Sequence, residues 1–341
     1  MRMFLRDVRR ALVMSARFAR HVPAKAMALH QRLIYHAKWL LASCVRPAET
    51  ASWFTLVNDA AMQPFWNDRF PIACKPARAY MSTRWSYDER VRCLQETYQL
   101  ILANGFLYDA LTNSAGRVLA AITLPGCGNL EIRVRRDAGF RKEGELVITV
   151  FAAELGGALT SAAMSFQRQS DGTRVCHIGA IQGHENLEAF HATTKAMFGL
   201  RPKALAVFAA QEVARLLDAK GLFGVALQLQ MHRKKCLFYL PSVHGVKFDY
   251  DSFWTELGGT LQNDGWFQLP MTTHRRNKDE IKPNKRSMYT KRYAMMDELS
   301  LQMSRVLSET AAVDRGDEHE STMSRRQAVP SCTVSREVVS A

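Results

Sequence analysis

Five short runs of apolar and partly alternating residues lie between positions 118 and 182, separated by Gly-rich or polar turns. They occupy residues 118–124, 130–135, 145–155, 158–167 and 174–182. Such runs are typical of β-strands. Because parallel strands need a crossover of about a dozen residues, the close spacing predicts an antiparallel meander. No other feature constrains the fold of this chain as strongly.

The pattern changes to helical spacing on both sides of the meander. Residues 80–106 are a predicted helix that ends at Asn104-Gly105. Residues 186–197 and 202–220 are predicted helices, and the apolar run 222–229 is expected to return as a parallel strand. The fold class is therefore α+β, with a central, mostly antiparallel sheet, covering helices and a helical N-terminus.

Four regions are predicted along the chain. Residues 1–50 form a basic amphipathic helical segment and residues 51–115 a helical region. Residues 116–307 form the α+β core, which closes with a long helix at 285–307. Residues 308–341 are Ser/Thr-rich and polar without periodicity, which predicts a disordered tail.

The N-terminal segment carries ten Lys or Arg residues against only Asp7 and Glu49. Apolar residues such as Phe4, Val8 and Leu12 recur near helical spacing, so a basic amphipathic helix is expected. Such a helix can insert apolar side chains into an anionic membrane surface while its arginines stay at the head groups. The alternative is that its apolar side packs on the protein's own core and its basic side is solvated.

The formal net charge of +14 points to anionic partners. No run reaches the roughly 18 to 20 apolar residues of a membrane span. No uninterrupted apolar stretch of a secretory signal is recognisable, so the expected location is cytoplasmic, with peripheral attachment to the inner membrane. Nucleic acid is a further anionic partner, but without a recognisable reading motif only nonspecific binding is expected.

The seven cysteines form no C-x-x-C pair and are interpreted as reduced core thiols. His184, Glu188 and His191 would share one side of a helix, where a metal could bind. No further Cys or His cluster accompanies them. A solvated helix surface is the favoured interpretation, and no metal site is predicted.

Residues 201–206, Arg-Pro-Lys-Ala-Leu-Ala, resemble the acyl-coenzyme-A binding turn of the Gcn5-related N-acetyltransferase fold. There, backbone N–H groups at a helix start hold pyrophosphate oxygens. The resemblance implies acyl-coenzyme A as cofactor, bound through Arg201, Lys203, Ala204 and Ala206. Ala204 stands where that pattern has Gly, which puts a methyl group at the closest approach. The alternative is an ordinary helix start with basic residues.

Two residues are candidates for a catalytic base in such an acyltransferase. His232 follows the predicted strand 222–229, and catalytic groups often lie at strand ends. Glu185 is the second candidate. The alternative for His232 is a structural histidine at a turn.

Arg286, Tyr289 and Tyr293 share one side of the predicted C-terminal helix, with Arg292 beside them. Guanidinium and phenol groups in this arrangement can bind phosphate or carboxylate groups, or stack on nucleic acid bases. The four residues are therefore an anion-binding candidate. The alternative is that the tyrosines and the arginine stems pack on the core.

The order and spacing of five motifs resemble the VirK/YbjX family of bacterial proteins. They are IGAIQG at 178–183, GLRPK at 199–203, VKFDYDSFWTELGG at 246–259, GWFQLP at 265–270 and KRSMYTKRYAMMD at 285–297. The resemblance extends over residues 174–299 and more weakly over 80–167. It implies an accessory factor in virulence, envelope integrity or stress response, including antimicrobial-peptide resistance and surface-protein display. It implies no catalytic residues, and its expected partners are an anionic membrane surface or an envelope or virulence protein.

Overall fold

The computed structural model describes residues 2–20, 29–66, 72–183, 186–231 and 248–326. Within these residues five helices precede five consecutive strands, and the remaining helices and strands follow in mixed order. The helices are α1 (Arg2–Ala19), α2 (Leu29–Val45), α3 (Pro47–Val57), α4 (Tyr87–Leu102), α5 (Gly105–Thr112), α6 (Leu187–Ala196), α7 (Pro202–Leu216), α8 (Tyr250–Glu256) and α9 (Arg286–Arg326). The strands are β1 (Arg117–Leu124), β2 (Gly128–Arg135), β3 (Leu146–Ala152), β4 (Gly157–Arg168), β5 (Arg174–Gly183), β6 (Gly221–Val225), β7 (Thr260–Leu261) and β8 (Trp266–Leu269).

One sheet holds all eight strands in the order β1-β2-β3-β4-β5-β6-β8-β7. Strands β1 to β5 are the predicted meander, each antiparallel to its neighbour. Strand β6 lies parallel to β5, since α6 and α7 supply the crossover. The remaining pairs are antiparallel. The predicted fold class, α+β with a mostly antiparallel sheet and a helical N-terminus, is confirmed.

A single large apolar core joins the helices to the sheet. It extends from Phe18 in α1 to Leu307 in α9. Helices α4 and α7 pack on β4, and α9 packs on β1. On the other side of the sheet, a small cluster around Phe140 and Val147 lies under the connection between β2 and β3. The N-terminal helices therefore share the core of the sheet.

The start of α4 differs from its prediction. The helix begins at Tyr87, because the Ser86 hydroxyl accepts from the backbone N–H of Glu89 and the Glu89 carboxylate accepts from that of Ser86. Its end at Leu102 also differs from the predicted glycine stop. Asn104 instead caps the next helix, its side chain accepting from the backbone N–H of Leu107.

Helix α9 continues to Arg326, beyond the boundary at 308 where a disordered tail was predicted. Residues 309–326 contain no proline, and Ala, Glu, Met and Arg among them extend a helix at little cost once it has formed. Residues 327–341 lie outside the described part of the chain.

Candidate functional site

Helix α1 separates its side chains by polarity. Ala11, Ser15 and Phe18 are buried, and the Phe18 ring lies against Phe54 of α3 with centroids 6.1 Å apart. The opposite side carries basic residues that are all exposed. They are Arg6, Arg9, Arg10, Arg17 and Arg20, which we call the α1 arginine row.

Helix α2 is apolar on two sides. Tyr35 and Trp39, four residues apart, are buried against the core, and the Trp39 ring lies 5.4 Å from that of Phe54. A second apolar side, which we call the α2 apolar face, consists of side chains that are each more than half exposed. They are Leu33, Ile34, Leu40, Leu41 and Val45. Contiguous exposed apolar side chains of this kind mark interaction sites.

The two N-terminal helices adjoin. The Phe18 ring of α1 meets the Trp39 ring of α2 edge to face, with centroids 6.3 Å apart. The exposed Lys38 lies over the Tyr35 ring at 5.3 Å, beside the α2 apolar face. Exposed apolar side chains and exposed cations therefore occur on neighbouring helices.

Only part of the apolar surface of the N-terminal helices packs on the core. The apolar side of α1 packs on the core from Ala11 onward, whereas Phe4 in its first turn is half exposed. The side chains of the α2 apolar face are each more than half exposed. No helix within the described residues is long and apolar enough to cross a bilayer.

The predicted coenzyme-A turn lies at the start of α7. Arg201 is the residue before the helix and forms an ion pair with Glu256 of α8. The ammonium group of Lys203 lies 3.5 Å from the centroid of the Phe248 ring. Burial, and then the charge of Arg201, lower the pKa of Lys203. Ala206 is fully buried in the core and Ala204 is partly buried.

Beside this turn, β5 and β6 separate. Their pairing ends at Ile178 and Gly224, although β5 continues to Gly183. The Tyr250 hydroxyl accepts from the backbone N–H of Ile181 at 3.0 Å and donates to its carbonyl at 2.8 Å. The buried Tyr250 side chain is thus bonded to β5 beyond the point where its pairing with β6 ends.

The catalytic candidates His232 and Glu185 lie outside the described residues, as does His184. Glu188 and His191 lie on α6. Within the described residues, no group of three His, Cys, Asp or Glu side chains is arranged to bind a metal. Of the cysteines, Cys74, Cys93, Cys127 and Cys176 are buried, whereas Cys44 is exposed on α2.

The predicted anion-binding residues of α9 are all partly buried. The rings of Tyr289 and Tyr293 meet edge to face at 5.8 Å, as their spacing predicts. Arg292 lies over the Tyr289 ring at 4.4 Å, but its Nε and Nη2 donate to the Phe198 carbonyl at 3.0 and 2.6 Å. Arg286 Nε donates to the Ile281 carbonyl. Two of the four groups are therefore engaged by backbone oxygens.

These contacts bring together motifs that lie far apart in the sequence. The turn at Phe198 and Gly199 has positive φ at both residues, and Arg292 from the last motif holds its carbonyl. Arg201 and Lys203 contact the motif around α8. Four of the five motifs thus meet around the start of α7.

The sequence also indicates a second N-terminal helix at about residues 24–42, with Ile34 and Leu41 among the apolar residues that could enter a membrane interface, but it does not separate the exposed apolar side from the buried one. The apolar residues of α2 surround the helix, so their spacing does not reveal which side packs. The run Leu33-Ile34 followed by Leu40-Leu41 was the available signal, because four large apolar residues there exceed what one buried side requires.

A family model described as "Protein of unknown function (DUF535)" matches residues 29–305. The protein YbjX of Escherichia coli K12, described as uncharacterized, is 25% identical over 287 residues, covering 80% of this chain and 83% of YbjX. Two uncharacterized proteins of Haemophilus influenzae Rd are each 32% identical, one over 127 residues and the other over 163. No solved structure gives a significant match.

Proposed function

We propose that this chain, which belongs to the VirK/YbjX family described as DUF535, is an accessory factor that binds the anionic surface of the inner membrane peripherally. At that surface it supports envelope integrity, virulence and stress resistance. The family match confirms the resemblance seen in the sequence motifs. It begins at residue 29, so it includes the whole of α2.

The observation that carries this proposal is the α2 apolar face. Full burial of one leucine side chain is worth about 1.5–3 kcal/mol, so partial insertion of several such residues supplies a useful binding free energy. Each Arg near an anionic leaflet adds about 1 kcal/mol, and the α1 arginine row provides five. Attraction of the arginines and insertion of the apolar side chains would act together.

Flotation of the full-length protein with vesicles tests membrane binding directly. We expect the protein to float with vesicles of phosphatidylglycerol and phosphatidylcholine, and to float less with phosphatidylcholine alone. The exposed Cys44 beside the α2 apolar face offers a site for an environment-sensitive fluorophore, after Cys236 and Cys332 are replaced by serine. Its emission should shift to the blue with anionic vesicles. No flotation and no shift would end the membrane proposal.

The envelope role is tested in cells. A strain that lacks its own copy of the gene should regain resistance to a cationic antimicrobial peptide when it expresses the wild-type chain, but not when it expresses a Leu40→Glu variant at equal level. Full rescue by that variant would show that the envelope role does not depend on the α2 apolar face.

Acyl transfer from coenzyme A is a second candidate, favoured by the separation of β5 from β6 beside the start of α7. Binding of coenzyme A there requires the side chains of Tyr250 and Phe248 to move aside. Titration calorimetry with acetyl-coenzyme A, repeated on a Tyr250→Ala variant with intact secondary structure, tests it. No binding by either protein would remove this candidate.

A further inference from the structure

The segment that leads into α9 carries cations that have no partner within the fold. Between residues 275 and 292 the sequence has eight Lys or Arg residues against only Asp279 and Glu280. Five of these eight side chains are exposed and form no ion pair or hydrogen bond with the described residues. They are Arg276, Lys278, Lys282, Lys285 and Lys291, which we call the α9 basic patch.

The segment folds back on the first turns of α9. The backbone N–H of Arg276 donates to the Tyr293 hydroxyl at 3.0 Å. The carbonyl of the buried Ile281 accepts from Arg286 Nε at 3.3 Å. Because both contacts tie the segment to the helix, the cations that precede the helix lie at the same end of α9 as Lys291.

The charge at this end of α9 is positive on balance. The Glu280 carboxylate accepts from the backbone N–H of Asn277 at 2.8 Å, and Asp279 is the other acidic residue of the segment. The first turn of α9 contains no acidic residue, so the positive end of the helix dipole adds to the field of the cations. The Arg276 guanidinium lies over the Tyr289 ring at 5.8 Å, an arrangement that leaves its N–H groups available to an external acceptor.

The surroundings of the α9 basic patch are polar. Between residues 262 and 300, all of which the structure describes, no large apolar side chain is exposed. Insertion into a membrane requires such side chains, and a stable protein interface takes most of its binding free energy from buried aromatic and apolar residues. A nucleic acid backbone requires neither, because cations bind its phosphates through charge and the release of counterions. The composition of the patch therefore favours nucleic acid over a membrane or a folded protein.

We propose that the α9 basic patch binds the phosphate backbone of nucleic acid without preference for base sequence. Four of its five cations are lysines, which act as point charges on phosphates and carry no sequence information. The inference goes beyond the proposed membrane function and does not depend on it, since no residue of α1 or α2 takes part.

Fluorescence anisotropy of a labelled single strand of about 20 nucleotides, titrated with the full-length protein, tests the patch. We expect saturable binding at low ionic strength that weakens steeply as salt is added. Two strands of unrelated sequence should bind equally. Absence of binding at micromolar protein in low salt overturns the proposal, and a strong preference for one strand contradicts recognition of the backbone.

A triple variant, Lys278→Gln/Lys282→Gln/Lys285→Gln, locates the binding. The three side chains are exposed and unpaired, so the variant should fold as the wild type does. Loss of three phosphate contacts should weaken binding about a hundredfold at about 0.1 M salt, and should lower the slope of log Kd against log salt by about two. Affinity within about twofold of wild type would overturn the proposal.

The matched control removes the same charge elsewhere. Arg92→Gln/Lys195→Gln/Arg305→Gln replaces three exposed cations on α4, α6 and the middle of α9, and should weaken binding of the strand far less than the triple lysine variant does. Equal weakening by both variants would mean that the whole basic protein attracts the strand, and it would overturn the proposal.

Vesicles and an acidic polypeptide separate the other anionic partners. The triple lysine variant should partition to phosphatidylglycerol vesicles as strongly as the matched control, and Leu40→Glu should bind the strand as wild type does. Failure of membrane binding and failure of the patch are therefore distinguishable. Selective loss of vesicle partition by the triple lysine variant, with its strand affinity retained, would assign the patch to lipid. Equal affinity of the patch for poly-glutamate of the same charge would assign it to acidic polypeptides, and either result overturns the proposal.

Discussion

The N-terminal helices and the sheet differ in which side chains they bury and which they expose. Around the sheet, charged and aromatic polar groups such as Glu145 and His177 are enclosed, while large apolar residues are buried. On α2, five large apolar side chains are more than half exposed, and on α1 the arginines face solvent. Stability of the fold explains the apolar burial around the sheet, but it gives no reason for the α2 apolar face.

This difference separates two kinds of variant. A change in the enclosed polar groups should lower stability and leave the N-terminal surface as it is. A change on the α2 apolar face should leave stability nearly unaltered and alter association with membranes. A variant in one region that changed the property assigned to the other region would show that the two regions are coupled.

The largest effect is expected from Lys75→Met, which leaves the Glu145 carboxylate buried without its cation. Removal of one partner of a buried ion pair costs about 3–5 kcal/mol, and urea denaturation should register a loss of that size. The double variant Lys75→Met/Glu145→Leu should recover part of it, because no unpaired charge remains. A single variant within about 0.5 kcal/mol of wild type would show that the pair is not buried in solution.

A smaller loss of stability is expected when the pH is lowered. His177 lies against the rings of Trp85, Phe223 and Trp266, and its buried Nδ1 has no hydrogen-bond partner among the described residues. Burial lowers its pKa from 6.5 to about 3. The unfolded chain therefore binds a proton that the folded chain excludes as pH falls below 6.5, so stability is complete above that pH and declines towards pH 3.

Between pH 7 and pH 5 this histidine should account for a loss of about 2 kcal/mol in the free energy of unfolding. His177→Leu keeps the site apolar and should flatten the pH dependence in this interval. Urea titrations of both proteins at the two pH values measure the difference. An equal decline in wild type and variant would show that another group is responsible.

The sequence was informative wherever one local pattern decides the structure. Alternation and short connections predicted the meander, and the spacing of Tyr289 and Tyr293 predicted their contact. The start of α4 is also encoded locally, by Ser86 and Glu89, although the prediction placed it earlier, at residue 80.

Contacts between distant residues were not predictable in this way. Lys75 and Glu145 are 70 positions apart, and Arg292 reaches a carbonyl 94 positions away at Phe198. The spacing of arginines and tyrosines on α9 could not show that Arg292 is engaged by that carbonyl. Likewise, the residues at the Arg201 turn could not show that Tyr250 of α8 is bonded to β5 beside them.

The two sides of α2 offer a direct comparison on one helix. Leu40→Glu should change the free energy of unfolding by less than about 0.5 kcal/mol, because the side chain is exposed. It should weaken partition to anionic vesicles about tenfold, since insertion of a leucine is worth about 1.5–3 kcal/mol. Leu301→Glu on α9, where the leucine is exposed to a similar degree, is the matched control. Equal weakening by both would mean that added negative charge, and not α2, explains the loss.

The smallest effect is expected in the α1 arginine row. Arg9→Gln removes one exposed cation, worth about 1 kcal/mol at an anionic surface, which corresponds to roughly fivefold weaker partition. The difference should disappear in high salt, because screening shortens the range of the attraction, whereas the defect of Leu40→Glu should persist. Arg305→Gln, an exposed arginine on α9, controls for net charge. If Arg9→Gln and Arg305→Gln weaken partition equally, the attraction belongs to the whole basic protein, and the α2 apolar face alone orients it on the membrane.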